Sequence, residues 1–132
     1  MSSVHSVKVI SIAVIAALVA ILCFVGVGVA GAAQVSLAWD ANSESNLAGY
    51  NVYYKLGSSG APYDGDGLYQ DGLPVRSPVD VPIASLEDIQ NPRVSLSGLV
   101  AGTYYFTCSA YDDDGNESGY ANEISYTVVV DD

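Results

Sequence analysis

Beyond Gln34 the chain never sustains a helical period. Apolar side chains recur at every second position instead, in runs separated by clusters of Gly, Asn, Asp and Ser. Val35, Leu37 and Trp39 alternate with Ser36 and Ala38. Tyr50, Val52 and Tyr54 alternate with Asn51, Tyr53 and Lys55. Val94 and Leu96 alternate with Ser95 and Ser97, and Gly98 ends that run. Tyr104, Phe106, Cys108 and Ala110 alternate with Tyr105, Thr107, Ser109 and Tyr111, and Ile124, Tyr126 and Val128 form the last run, which extends to Val130. A period of two sends successive side chains to opposite faces, so each run predicts a strand with one buried face. Several such strands with turns between them predict an all-β chain, two antiparallel sheets packed as a sandwich. Ser85 and Asp88 have capping-box spacing, which allows one helical turn there. Residues 57–78, rich in Gly, Asp and Pro, are too long for a simple connection. They predict an ordered surface excursion that returns to a short strand at 79–81.

The N-terminal third is a different material. Residues 9–33 contain no charged side chain, follow a short, weakly positive start ending at Lys8, and finish on the small residues Ala30-Gly31-Ala32. These are the parts of a secretory signal with cleavage after Ala32 or Ala33, forming a hydrophobic helix until it is removed. The apolar core exceeds the ~7–15 residues usual for a signal and approaches the ~20 that cross a bilayer, so a retained single-pass anchor is the alternative. Gly26, Gly28 and Gly31 weaken a helix where an anchor should be firm. Leu22 before Cys23 is too bulky for a lipidation motif. The organisation expected is a leader at 1–33, one domain at 34–130 and an acidic tail at 131–132. The protein is then secreted, periplasmic or at the cell surface, touching a membrane only if the leader is kept.

Charge narrows the partners. Residues 34–132 carry Lys55, Arg76 and Arg93 against all fifteen acidic residues of the chain, whose net charge is −11. Phosphate backbones and anionic lipid heads repel such a surface, which argues against nucleic acid. His5, in the leader, is the one histidine, so a Ser-His-Asp triad, a Cys-His pair and a His-ligated zinc site are excluded from the domain. With one lysine and no Gly-rich phosphate cradle, the domain is expected to be non-catalytic and to use no cofactor. Once the leader is removed, Cys108 is left alone and no internal disulfide forms; its inward phase points to a core thiol rather than a reactive one.

Several of these landmarks, taken in order, resemble a fibronectin type III domain of the bacterial exported kind. They are Val35-Ser36-Leu37-Ala38-Trp39-Asp40 before Gly49-Tyr50-Asn51-Val52-Tyr53-Tyr54, then Leu99 before Gly102-Thr103-Tyr104-Tyr105-Phe106, then Ala110-Tyr111-Asp112 and residues 115–123. The resemblance spans residues 35–130. It implies the immunoglobulin-like sandwich, with Trp39, Tyr50, Val52, Leu99, Tyr104, Phe106 and Cys108 in the core. Tyr104 takes the tyrosine-corner position, its hydroxyl bonded to backbone near the preceding turn. The sequence departs from the pattern in lacking a strand before Val35 within the domain, which leaves a sheet edge open unless the leader supplies one.

Three groups of residues invite a function. Asp112, Asp114 and Asn116 alternate around Gly115 as calcium ligands do, but the same residues make a tight turn, and no later bidentate Glu completes an EF-hand. Residues 63–67 with Asp71 are a second candidate of that kind. Tyr53 and Tyr105 fall on the outward phase of neighbouring strands together with Thr107 and Ser109. With Tyr63 and Tyr69 of the long excursion they make a tyrosine-rich surface suited to protein or carbohydrate, although aromatic pairs also simply stabilise sheets. Asn116-Glu117-Ser118 matches a glycosylation sequon, and Arg-Gly-Asp is absent. The expected function is a non-catalytic exported binding module with a protein or glycan partner. The alternative is a structural subunit that assembles by strand addition at the edge lacking its first strand.

Overall fold

Val35, Leu37 and Trp39 are buried while Ser36 and Ala38 are only partly covered, and the same alternation recurs from Tyr50 to Lys55 and from Arg93 to Ser97. A computed structural model describes residues 12–17 and 33–129. In these residues the strands are β1 (Ile12–Ala17), β2 (Ala33–Trp39), β3 (Leu47–Leu56), β4 (Leu68–Gln70) and β5 (Leu73–Val75). They continue with β6 (Val79–Pro82), β7 (Arg93–Leu99), β8 (Gly102–Asp112) and β9 (Ile124–Val128). A single 3-10 turn at Ile83–Ser85 follows β6. One sheet runs in the order β1-β2-β7-β4-β5 and the other β6-β3-β8-β9, with every pairing antiparallel.

The inward side chains of both sheets form one core. All of the residues assigned to it from sequence are there: Trp39, Tyr50, Val52, Leu99, Tyr104, Phe106 and Cys108, joined by Val35, Leu37, Tyr54, Leu68, Val94 and Leu96. Each fully buried side chain of this size contributes ~1.5–3 kcal/mol of transfer free energy, so the core dominates stability. Trp39 meets Tyr50 edge to face, ring centroids 5.1 Å apart. Buried Tyr50 keeps its hydroxyl satisfied by accepting from the Asn42 amide at 3.0 Å. The hydroxyl of Tyr104 accepts from the Val100 amide at 2.9 Å, closing the β7–β8 turn.

Residues 57–78 are ordered because Tyr54 anchors them. Its hydroxyl donates to the Val75 carbonyl at 2.6 Å and accepts from the Leu68 amide at 3.3 Å. Its backbone takes the Gly65 amide on its carbonyl and donates its own amide to Ser77 Oγ. Gly65 has no room for a Cβ, which would strike the Tyr54 ring. The excursion contains a hairpin that the strand reading did not include. Asp71 and Gly72 between β4 and β5 both have positive φ, 53° and 82°. That is the backbone of a two-residue hairpin turn, and Asp-Gly is its strongest local sequence signal. The hairpin joins the sheet through Tyr69 opposite Ser97. The Tyr69 ring lies against Gly98, where a Cβ would meet it at 2.9 Å.

Two further differences concern the ends of elements. The helical turn lies at Ile83–Ser85 rather than running from Ser85 to Asp88. Ser85 Oγ donates back to the Pro82 carbonyl, and Asp88 caps a separate turn by accepting from the Gln90 amide. At the N-terminus, the expected hydrophobic helix falls mostly outside the described residues. The six of its residues that are described form β1, an edge strand paired with β2 from Ile12 opposite Trp39 to Ala17 opposite Val35. An apolar run lying beside an open sheet edge can pair the backbone groups of one side as a strand. Among the described residues no helix is long and apolar enough to cross a membrane.

Candidate functional site: a tyrosine cluster outside the β3–β8 pair

The odd-phase residues of β3 and the matching ones of β8 share the outer face of their sheet. Asn51 pairs with Ser109, Tyr53 with Thr107 and Lys55 with Tyr105. Beyond Asp112 the chain turns and comes back along β8. An isolated bridge links Glu117 to Tyr111, and the amides of Ser118 and Ala121 donate to the carbonyls of Ala110 and Cys108. This return lays Glu117, Tyr120 and Glu123 against the outer face.

Three rings meet there. Tyr53 and Tyr120 are 4.9 Å apart, Tyr63 and Tyr120 5.2 Å, both edge to face, and Tyr53 and Tyr63 are 6.3 Å apart and tilted. They come from β3, from the long excursion and from the return segment. Edge-to-face aromatic pairs add ~0.5–1.5 kcal/mol beyond the area they bury. Tyr120 stays 50% exposed, so the cluster presents a ring to solvent on a fixed base.

Two carboxylates tie the rings down. Glu117 Oε2 accepts from the Tyr53 hydroxyl at 2.5 Å, from Ser109 Oγ at 2.6 Å and from Asn51 Nδ2 at 3.3 Å. Glu123 Oε1 accepts from the Tyr63 hydroxyl at 2.6 Å and from the Gly60 amide at 2.7 Å. Lys55 donates to the Gly60 carbonyl and stands 5.9 Å from the centre of the Tyr63 ring, within cation–π range. Burial, reinforced by the neighbouring carboxylate, pushes the Tyr53 hydroxyl up to about 12, and the same causes push Tyr63 up to about 12. Both therefore remain proton donors throughout the neutral range. Burial also opposes the charge on Glu117, but the hydrogen bonds from Ser109, Tyr53 and Asn51 outweigh it and hold the carboxyl below its ordinary value.

Of the residues singled out from sequence, Tyr53 and Tyr63 are brought together here. Tyr105 sits opposite Lys55, two positions along β8 from the partner of Tyr53, and is half-buried. Thr107 is fully buried, and its hydroxyl donates to the Ala121 carbonyl at 2.7 Å, so its place on the surface is taken by the protein's own return segment. Tyr69 lies on the other sheet and is 43% exposed. Tyr120, Glu117 and Glu123 were not singled out for this face. Their stretch reads as a turn followed by a strand, and no local pattern says that it lies back on β8.

No family model, curated protein or solved structure matches this chain.

The acidic turn is built as a turn. Asp112 Oδ1 accepts from the amides of Asp114 and Asn116 at 3.0 and 2.9 Å, and Oδ2 from Asn116 Nδ2 at 3.1 Å. Its oxygens are aimed at donors of its own loop, and the Asn116 side chain is spent on the same bond. Among the described residues no group of three or more His, Cys, Asp or Glu side chains is placed to hold a metal ion, the 63–67 stretch with Asp71 included. Cys108 is fully buried, and burial pushes its thiol up to about 12, so it packs as a small apolar residue.

Proposed function

We propose that this protein is an exported, non-catalytic interaction module of the fibronectin type III kind, which binds a protein or glycan partner through the tyrosine cluster. The observation that carries the reading is the half-exposed Tyr120 ring seated on Tyr53 and Tyr63, whose hydroxyls are held by Glu117 and Glu123. Tyrosines already fixed by hydrogen bonds lose little side-chain entropy on binding and offer apolar area together with polar edges. That combination suits protein hot spots and sugar rings alike. Kinship with fibronectin type III domains is supported by the buried Trp39 and Leu99 and by the Tyr104 hydroxyl on the Val100 amide, the positions that carry the sequence resemblance. Export rests on the uncharged block at 9–33 with its small-residue exit. The surface is expected to be secreted, periplasmic or on the cell exterior.

The test is the double variant Tyr63→Ala with Tyr120→Ala, assayed for capture of extracellular proteins from the native host and on a glycan array. The melting curve is expected to change little and binding to be lost. Binding retained by a folded double variant places the site elsewhere.

A second reading is a subunit that pairs by strand addition, and it is favoured by the edge of β2, which accepts Ile12–Ala17 as an antiparallel neighbour.

A further inference from the structure

Three tyrosine hydroxyls outside the β6-β3-β8-β9 sheet each end on a carboxylate. Tyr53 donates to Glu117, Tyr63 to Glu123 and Tyr111 to Asp80. The third pair extends the surface beyond the ring cluster. Gly49 has no side chain, and a Cβ there would strike the Tyr111 hydroxyl, so that ring crosses β3 to reach Asp80 on β6. Asn51 continues the row, pairing with Asp80 across the sheet while its side-chain amide donates to Glu117. A stripe of rings and carboxylates therefore runs over the face from Asp80 through Glu117 to Glu123. The Tyr120 ring, 50% exposed, packs on the tyrosines bonded to the last two.

What the stripe turns outward is negative charge. Lys55, the one cation on these four strands, already donates to the Gly60 carbonyl. In Glu117 and in Glu123 a single oxygen takes all of the hydrogen bonds described above, and the other takes none of them. Asp80, Glu117 and Glu123 are all exposed. A neutral sugar hydroxyl uses donors and acceptors together and gains nothing from net charge. A chain of net charge −11 attracts cations to such a face and repels anions. The acids are spread along the stripe, and among the described residues no three are placed to hold a metal ion. The occupant that fits is a chain carrying positive charges at intervals. Guanidinium groups suit it best, because they stack flat on an exposed ring and meet a carboxylate with a fork of N–H donors.

We propose that this stripe binds an extended, arginine-bearing segment of a protein partner, one guanidinium lying on the Tyr120 ring and its neighbours on Glu117, Glu123 and Asp80. In an extended segment alternate side chains point the same way about 6–7 Å apart, so one stretch of backbone presents several guanidiniums to a sheet face. The inference rests on the tyrosine-surface reading and names the chemistry of its partner.

The experiment titrates the full chain with a fluorescent peptide that alternates Arg and Ser. A citrulline counterpart keeps the shape without the charge, and cellohexaose and chitohexaose are the neutral glycan arms. The arginine peptide is expected to bind and the citrulline peptide to fail. Raising the salt from about 50 to about 500 mM should weaken binding at least about tenfold. Tyr120→Ala and Glu123→Gln should each weaken it by about tenfold. The Gln variant keeps an oxygen for Tyr63 and the Gly60 amide, and melting curves show that both variants fold. Glu87→Gln, which lines a groove with Gln70 and Ser95 of the other sheet, should leave binding unchanged and so controls for the general charge of the chain. No binding of the arginine peptide at about 50 mM salt, or equal binding of the citrulline peptide, overturns the inference. A hexasaccharide that binds in its place and is lost in Tyr120→Ala overturns it too, while leaving the tyrosine surface standing with a glycan partner. Arginine-peptide binding unaltered by both Tyr120→Ala and Glu123→Gln overturns the tyrosine-surface reading itself.

Discussion

The hydroxyl of Tyr53 donates to Glu117 across 64 positions of sequence, at 2.5 Å. The same carboxylate oxygen receives Ser109, which is fully buried, and so the bond connects β3, β8 and the return segment through one atom. Glu123 does the same for Tyr63 and Gly60 on the excursion. Two glutamates thus fix the tyrosine surface.

Glu117→Ala is expected to destabilise the protein by about 1 kcal/mol, because it strands the hydroxyls of Ser109 and Tyr53. Water screens the open side of the carboxylate and keeps the loss near the low end of the range. Urea denaturation of the variant against the unaltered chain measures it. A midpoint unchanged within error removes Glu117 from the structural account.

Acid should act through the same residue. Glu117 has its carboxyl lowered in the folded state from 4.5, and Asp112 is lowered from 3.8, burial opposing and hydrogen bonds prevailing at both. A lowered folded pKa gives stability that is present above the unfolded value and lost as pH falls through the folded one. The melting temperature should therefore hold between about pH 6 and 8 and decline below roughly pH 4.5. Glu117→Gln should flatten part of that decline.

Alkali should act through the tyrosines. Burial, together with a carboxylate neighbour, raises Tyr53, Tyr63 and Tyr111 to about 12 from 10.0; the neighbour of Tyr111 is Asp80. A raised folded pKa gives stability that is present below the unfolded value and lost as pH rises towards the folded one. Phenolate absorbance from these three should rise only towards about pH 12, with the melting temperature dropping between about pH 10 and 12. A single transition near 10 for all tyrosines contradicts the hydrogen bonds assigned to these three.

Cys108 should resist a thiol reagent in the folded protein at mildly alkaline pH and react fully in denaturant, since burial pushes its thiol up to about 12. Reaction within seconds in native buffer would place it at the surface.

Tyr104→Phe removes the acceptor of the Val100 amide while leaving the ring. A loss of ~1–2 kcal/mol is expected for that unmade bond, read from the urea midpoint. Asp112→Ala should lower the midpoint as well, by opening the turn at Asp114 and Asn116, and calcium should leave the melting curve of the unaltered chain where chelator leaves it.

Much of the sandwich could be read directly from the chain. Whether a side chain points in or out is a local property of an extended backbone, so Val35, Leu37, Trp39, Tyr104, Phe106 and Cys108 declare their side by position alone. The return at Val79 follows from the same local chemistry, and Asp71-Gly72 announces the β4–β5 hairpin to a reader who takes the dipeptide at its word. What lies over an outward face is another matter. Thr107 and Tyr53 have the same outward phase, yet one is sealed beneath Ala121 and the other joins Tyr63 and Tyr120. That choice depends on how the chain returns after Asp112 and where the excursion is pinned by Tyr54. Periodicity therefore decided strands and core, and only the tertiary structure decided the surface, because contacts between residues some sixty positions apart depend on loop paths that no local pattern encodes.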